Sequence, residues 1–397
     1  MTRIRNSIIV LANAFIFIFM SCSKENMQAN QSNNNSSNPP SNPLISTPCS
    51  NRSEINATLI PIGQLSSARM GIKCAAAGNK ILYIGGWHDG ANYWNEPVPV
   101  DIFDISANSW SQHSLVPENP SFTYYRFGAA IATVGNKILF AGGGDPIGDN
   151  QTARVDIFDA SSDSWSFNYL SAARSGLAAS TAGDKVLFAG GFGYPDGRNW
   201  GEFNTVDIYD TSTNTWSVAT LSQARSDLSA TTAGSKIYFA GGHAGLQTSK
   251  IIDIYNAVSN TWSVASLNQP RAGLAGISTE EKIFWAGGHY FDGTSSLAYN
   301  NTVEMLNLQT GDITTDCLYP KSGFNAVRKE DNLIFFTGSN GNGYQFEIYD
   351  IRTDRWSIGK LSIPVLAAAI ITVSNTVYVA GGKVNGAYSK QVWKLEF

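Results

Sequence analysis

Charged side chains are scarce in this chain of 397 residues: 27 are Lys or Arg and 31 are Asp or Glu, which gives a formal net charge of −4. The basic residues form no run, so nucleic acid is a poor partner. The sequence also lacks a nucleophile elbow and a phosphate loop. Low charge, 12% aromatic residues and 37 glycines are typical of an all-β protein with many short strands and tight turns.

The N-terminus has the features of an export signal. Arg3 and Arg5 precede an apolar run at residues 8–20, which is too short to span a bilayer and is typical of a secretory signal peptide. Residues 19–22 resemble a bacterial lipobox, although Phe19 stands where that family usually has Leu. The resemblance implies removal of residues 1–21, diacylglycerol on Cys22, and an outer-membrane lipoprotein facing the periplasm or the cell surface. Ordinary cleavage nearby, or a buried Cys22, is the alternative.

Residues 22–55 are rich in Asn, Ser, Gln and Pro and include the stretch QANQSNNNSSNPPSNP. Such a segment has too little apolar surface to offset the entropy lost on ordering. We therefore expect a flexible tether over 22–55 and a folded domain over 56–397.

Internal repeats dominate the rest of the chain. An apolar strand that ends in two glycines occurs in five copies, followed by two degenerate ones: KILYIGG (80–86), KILFAGG (137–143), KVLFAGG (185–191), KIYFAGG (236–242), KIFWAGG (282–288), NLIFFTG (332–338) and TVYVAGG (376–382). A basic residue lies sixteen positions before the glycines in all but the last copy: Arg69, Arg126, Arg174, Arg225, Arg271 and Lys321. The last copy has Val365 there. A third segment follows the glycines and, as in VDIYDTSTNTW (206–216), ends in Trp in five copies.

This pattern of glycine pair, aromatic strand and Trp resembles the Kelch repeat over residues 57–397. The resemblance implies an all-β, seven-bladed β-propeller. In each unit we expect a first strand of small residues at the axis and a second strand covered on both faces by neighbouring blades. Trp216 should open the fourth strand and pack against the next blade.

The last unit, VWKLEF (392–397), stops after its third strand. Residues 57–69 align with the fourth-strand segment of the third unit, which places Ile60 at the Trp position. We therefore expect the N-terminal strand to complete the seventh blade, which removes two open sheet edges.

Loops after the second strand and before the first strand open on one face of such a propeller, and loops on a rigid scaffold commonly carry function. The candidate ligand-binding residues on this face are Arg69, Arg126, Arg174, Arg225, Arg271, Lys321, Trp87, His88, His243, His289 and Tyr290. The arginines predict a guanidinium funnel for carboxylates, as in Kelch proteins that capture acidic peptides. The alternative is that each arginine binds loop carbonyls of its own or a neighbouring blade.

We expect a monomeric binding module for a protein, peptide or glycan rather than an enzyme, without a cofactor. The alternative is a carbohydrate-active enzyme similar to the Kelch-type sialic acid mutarotase, with His243 or His289 and Glu202 as acid and base. A copper carbohydrate oxidase is disfavoured because no Cys suited to the cross-link stands beside Tyr290, and two His alone predict no metal site. A structural spacer without a ligand is a third possibility.

Three cysteines follow Cys22, and an odd number leaves at least one unpaired within the chain. The repeat places Cys74 in an inner strand and Cys317 in an outer one, and Cys49 falls in the tether. We therefore expect no structural disulfide.

Overall fold

The computed structural model describes residues 49–87, 97–116, 126–144, 150–291, 297–318, 324–337 and 343–397. A 3₁₀-helix at Cys49–Asn51 precedes the strands. In chain order the strands are β1 Ser53–Gln64; β2 Lys73–Ala77, β3 Lys80–Ile84, β4 Val98–Asp104, β5 Ser109–Leu115; β6 Ala130–Val134, β7 Lys137–Ala141, β8 Arg154–Asp159, β9 Ser164–Tyr169; β10 Arg174–Ser175, β11 Ala178–Ala182, β12 Lys185–Ala189, β13 Phe192–Gly193, β14 Gly201–Glu202, β15 Thr205–Asp210, β16 Thr215–Thr220; β17 Ser229–Ala233, β18 Lys236–Ala240, β19 His243–Ala244, β20 Gln247–Thr248, β21 Ile251–Asn256, β22 Thr261–Ser266. They continue as β23 Ala275–Ser278, β24 Lys282–Ala286, β25 His289–Phe291, β26 Leu297–Tyr299, β27 Thr302–Asn307, β28 Ile313–Cys317; β29 Phe324–Lys329, β30 Asn332–Thr337, β31 Gln345–Asp350, β32 Arg355–Leu361; β33 Val365–Leu366, β34 Ala369–Val373, β35 Thr376–Ala380, β36 Lys383–Val384, β37 Ala387–Tyr388 and β38 Gln391–Glu396.

The described strands build four-stranded antiparallel blades, each formed by strands of one repeat, except that β1 supplies the outer strand of the last blade. Their orders are β2-β3-β4-β5, β6-β7-β8-β9, β11-β12-β15-β16, β17-β18-β21-β22, β23-β24-β27-β28, β29-β30-β31-β32 and β34-β35-β38-β1. The first strands contact one another in a closed series, β2 to β6 and onward to β34, which again contacts β2. These first strands therefore surround a common axis. The predicted all-β propeller is confirmed.

The core lies between blades, because the second strand of each blade is covered on both faces. In β12, Val186 and Phe188 pack in one cluster with residues of the preceding blade. Leu187 and Ala189 pack in another cluster with residues of the following blade. All four are completely buried, as a continuously apolar strand predicts.

The tryptophans of the fourth strands pack in the direction opposite to the predicted one. Trp216 stacks on Tyr209 at 4.9 Å between ring centroids and belongs to the cluster shared with the preceding blade. Trp165 likewise stacks on His113 of the preceding blade at 4.7 Å. The expectation of contact with the next blade was wrong, because alternation along the third strand directs Tyr209, and the Trp that stacks on it, toward the earlier repeat.

The N-terminal strand closes the ring, as predicted. Thr58–Gln64 pairs antiparallel with β38 and supplies the missing fourth strand of the last blade. The register shifts between Pro61 and Gly63, so Leu59, not Ile60, pairs with Leu395 at the position that Trp occupies elsewhere. The expected role of Ile60 was wrong because a bulge adds one residue that a gap-free alignment does not contain.

The closing strand also extends onto the neighbouring blade. Ser53–Ala57 pairs parallel with Ser357–Leu361 of β32, so the folded part starts before the predicted boundary at residue 56. A disulfide joins Cys49 to Cys317 at the end of β28. The prediction of no structural disulfide was therefore wrong, because Cys49 belongs to the fold and not to the tether. Cys74 remains a free thiol.

Candidate functional site

The repeat arginines lie inside the blades rather than on a surface. Arg69, Arg174, Arg225 and Arg271 have 0% of their area exposed, and Arg126 has 6%. In each case the guanidinium donates to the carbonyl of the first glycine of its own pair, as Arg174 Nε does to Gly190 at 2.8 Å. Each also pairs with an acid of its own third strand: Arg69 with Asp101, Arg126 with Asp156, Arg174 with Asp207, Arg225 with Asp253 and Arg271 with Glu304.

This burial contradicts the predicted guanidinium funnel for these five residues. The side chains point back into their own blades, where burial lowers the pKa of Arg225 while Asp253 opposes that shift. Guanidinium groups nevertheless remain charged in proteins. These arginines therefore bind groups inside their own blades, as the alternative of local carbonyl binding predicts. We call each arginine together with its acid an internal brace. Lys321 lies outside the described residues.

The sixth blade receives its internal cation from elsewhere in the chain. Arg52 Nη1 pairs with Glu347 Oε2 at 2.5 Å, and Nη2 donates to the Cys317 carbonyl at 2.6 Å. The Arg52 guanidinium also lies 4.7 Å from the centre of the Trp356 ring. Glu347 holds the strand position that Asp207 holds in the third blade. We call the segment Cys49–Arg52, with its disulfide and this ion pair, the N-terminal clasp.

The glycine pairs set the geometry of the face that carries the loops. Gly190 and Gly191 have φ of 65° and 105°, and a Cβ on Gly191 would lie 2.7 Å from the Ser175 carbonyl oxygen. The Gly191 N–H donates to the carbonyl of Arg225 in the next blade at 2.8 Å. Equivalent bonds join other blades, including the last to the first, where Gly382 donates to Arg69 at 2.8 Å. Only glycine fits such a close approach with this backbone conformation.

The residue after each glycine pair forms a backbone bridge at the end of the axis. The bridged pairs are Met70 with Trp87, Phe127 with Gly144, Ser175 with Phe192, Ser226 with His243, Ala272 with His289, and Leu366 with Lys383. These positions are equivalent in the fold, yet they carry very different side chains. We call this surface, together with Lys73, Glu202 and Asp227, the axial mouth.

Two histidines meet on one side of the axial mouth. The Nε2 atoms of His243 and His289 lie 2.9 Å apart, so one ring donates and the other accepts. Burial lowers the pKa of His243 to about 3, with a further contribution from His289, and burial lowers the pKa of His289 to about 4. Both rings are therefore neutral at pH 7, which suits a shared hydrogen bond.

Opposite charges face one another across the axial mouth. Asp227 precedes β17 in the fourth blade, and Lys73 begins β2 in the first. The surrounding protein raises the pKa of Asp227 to about 6; Lys73 opposes this shift and Glu202 adds to it. The surrounding protein likewise lowers the pKa of Lys73, and Asp227 opposes that shift. The Lys73 side chain nevertheless remains exposed to solvent.

Aromatic rings line the rim. The Trp87 and Tyr388 rings meet edge to face at 6.1 Å, and the Lys383 ammonium lies 4.9 Å from the centre of the Tyr388 ring. Across the face, Trp200 contacts both Phe192 and Tyr194, with centroid distances of 5.3 Å and 5.4 Å. Tyr194 and Trp200 are 41% and 44% exposed, which leaves their faces open to a ligand.

Of the predicted site residues, the structure brings His243 and His289 into contact and places Trp87 at the equivalent position of the first repeat. Tyr290 follows His289 on β25, so strand alternation directs its side chain to the other face of that hairpin. His88 and Cys22 lie outside the described residues.

Sequence reasoning missed Lys73, Asp227 and Lys383. Asp227 had a readable signal, because it stands two residues after the repeat arginine, where the last copy carries Ala367 and the other five carry glycine: Gly71, Gly128, Gly176, Gly273 and Gly323.

The family model for the Kelch motif matches residues 173–220 and 224–266, which are the third and fourth units. Together with the antiparallel blades, these matches make the chain a Kelch-repeat β-propeller. The chain has no match among curated proteins. In the described residues, no helix has the length and apolarity of a membrane span, and no cluster of three or more His, Cys, Asp or Glu is arranged to hold a metal.

Proposed function

We propose that this chain is an envelope-anchored binding module that takes a protein, peptide or glycan ligand at the axial mouth. One observation carries the proposal: the blade interiors repeat the same arginine and acid, whereas the equivalent positions at the mouth hold Trp87, Phe192, His243, His289 and Lys383. A scaffold needs the repetition, but it has no need of this chemical variety. Variety on a rigid face is what a specific ligand requires.

Export to an envelope compartment has two supports. The first is the resemblance of residues 1–22 to a signal peptide that ends in a lipobox. The second is the disulfide between Cys49 and Cys317, since such bonds persist mainly in oxidising compartments. Replacing Cys22 by Ala should move the protein from the membrane fraction to the soluble fraction. An unchanged membrane fraction would refute the lipid anchor.

The binding proposal is tested by applying the full chain to immobilised glycans and peptides. Phe192→Ala at the mouth should weaken retention at least about tenfold, because stacked aromatic contacts carry much of such binding energy. Phe167→Ala is the matched control, since Phe167 is 55% exposed on the outer strand of the second blade. Retention that is unchanged by Phe192→Ala, or the absence of retention on every probe, would refute the proposed site.

A second candidate function is acid–base chemistry on an acidic sugar. Asp227 favours it, because a carboxyl group with a pKa of about 6 is matched to proton transfer near neutral pH, and the neutral His243–His289 pair lies on the same mouth. NMR exchange between the anomers of acidic sugars would measure it. A rate unaffected by Asp227→Asn would exclude Asp227 as the base.

A further inference from the structure

The charges of the axial mouth do not follow the repeat. Lys73 and Lys383 belong to the first and last blades, which are neighbours in the ring. Glu202 and Asp227 belong to the third and fourth blades, on the other side of the axis. Within the described residues, the mouth therefore has a cationic side and an anionic side.

Asp227 is held in a backbone conformation that disfavours a side chain. Its φ is 51°, close to the φ of 65° at Gly176 and 62° at Gly273, the equivalent residues on either side. The Asp227 N–H donates to the Gly176 carbonyl at 2.8 Å, and the Asp227 carbonyl accepts from the Gly273 N–H at 2.9 Å. Glycine would make both bonds without strain. The equivalent Ala367 of the last blade has the same conformation, with a φ of 52°, so the conformation belongs to the repeat and the carboxylate is the feature particular to the fourth blade.

The two central charges, Asp227 and Lys73, do not form an ion pair with each other. Among the residues that the structure describes, neither the Asp227 carboxylate nor the Lys73 ammonium forms an ion pair or a side-chain hydrogen bond, although each shifts the pKa of the other. They are close enough to interact through space but too far apart to touch. This contrasts with the blade interiors, where Arg174 and Asp207 lie 2.7 Å apart. The gap leaves both groups free to bind something placed between them.

We infer that the axial mouth binds a small dipolar ligand whose ammonium group lies against Asp227 and Glu202 and whose carboxylate lies against Lys73 and Lys383. The Phe192 ring contributes an apolar wall beside Asp227, because the ring and Asp227 Oδ1 lie within 3.2 Å of the position that a Cβ on Gly176 would occupy. A ligand with only one charge would leave the opposite side of the mouth without its partner, which disfavours simple amines and simple acids. This inference rests on the proposed function, since it uses the same mouth.

The test uses three probes of equal chain length: 6-aminohexanoate, hexylamine and hexanoate. Calorimetry or NMR titration of the full chain should give 6-aminohexanoate at least about a tenfold lower Kd than either singly charged probe. Asp227→Gly should reduce the affinity for 6-aminohexanoate to that for hexanoate, and Lys73→Met should reduce it to that for hexylamine. Lys80→Met is the control, because Lys80 is in the same blade but pairs with Asp163 at the far end of its hairpin.

The Asp227→Gly variant should fold normally, because glycine is the residue that the neighbouring blades carry at this position. Equal affinity for the three probes, or an Asp227→Gly variant that binds 6-aminohexanoate as well as the wild type, would overturn the inference. If 6-aminohexanoate fails while array retention still depends on Phe192, the dipolar ligand is refuted and the binding module stands. If retention on the array is unchanged by Phe192→Ala, the proposed function itself is refuted.

Discussion

Arg225 and Asp227 are separated by one residue but belong to opposite kinds of environment. Arg225 is completely buried, donates to the Gly241 carbonyl at 2.6 Å and forms an ion pair with Asp253. Asp227 lies on the axial mouth, and its carboxylate forms no ion pair with any residue that the structure describes. In the blade interiors, the five described repeat arginines are each paired with an acid, whereas the mouth exposes charges that the repeat does not require. The difference separates the residues that build the propeller from those that a ligand would use.

The last blade shows that the internal brace works as a unit. Val365 replaces the arginine there, and Trp393 replaces the acid of the third strand; both pack in one apolar cluster. A buried arginine without its acid, or the acid alone, would leave an uncompensated charge. The two positions therefore change together, and apolar packing substitutes for the ion pair.

The largest expected effect is on the blade interior. Arg225→Ala should lower the free energy of unfolding by about 3–5 kcal/mol, because Asp253 would remain buried without its cation. Urea unfolding followed by fluorescence measures this change. Arg328→Ala is the control: its ion pair with Glu280 is exposed, so the loss should stay within about 1 kcal/mol. Equal losses for the two variants would contradict the distinction between an interior brace and a surface charge.

The N-terminal clasp should give the next largest effect. Cys49→Ser removes a cross-link between residues 268 positions apart, and losing a native disulfide typically costs about 2–5 kcal/mol. A reducing agent should destabilise the wild type by a similar amount and leave the variant unchanged. Cys74→Ser provides the comparison, because Cys74 is a free thiol. If the reducing agent leaves the stability of the wild type unchanged, the disulfide of the clasp adds nothing to stability.

The smallest effect is expected at the mouth, and it should depend on pH. Asp227→Gly should leave stability unchanged or raise it by up to about 1 kcal/mol, because glycine tolerates a φ of 51°. The pKa of Asp227 is raised to about 6, above the value of about 3.9 in an unfolded chain, so the folded wild type binds more protons between these values. Its stability therefore falls, relative to the variant, as pH rises from about 4 to 6. Urea unfolding across this range measures the difference, and a constant difference would argue against the shifted carboxyl group.

Much of the fold could be predicted because the repeat is carried by local patterns. The apolar second strands, the glycine pairs and the truncated last unit lead directly to blades and to closure by the N-terminal strand. Two smaller predictions were wrong. One depended on a single extra residue, and the other depended on the direction in which a side chain packs. The bulge near Pro61 moved Leu59 into the position predicted for Ile60. The direction in which Trp216 packs depends on strand alternation in the assembled blade.

The candidate site was harder to predict than the fold. Arginines at regular spacing suggested a binding funnel, yet spacing along the chain does not show whether a side chain points into a blade or away from it. The acids of the third strands recur together with the arginines, and that joint recurrence is the signal by which internal pairing could have been predicted. Arg52 could not be found in this way, because it lies outside the repeat and reaches Glu347 across 295 positions of sequence.

By itself, the sequence determined the repeating blade, its apolar covering and the need for a closing strand, since each follows from residue types within a few dozen positions. Only the tertiary structure decided which charges are neutralised and which remain available. That outcome depends on distances across the axis and between blades, as with Lys73 facing Asp227 and Arg52 reaching Glu347. Charge–charge energies and burial are set by position in three dimensions, and no local pattern encodes them.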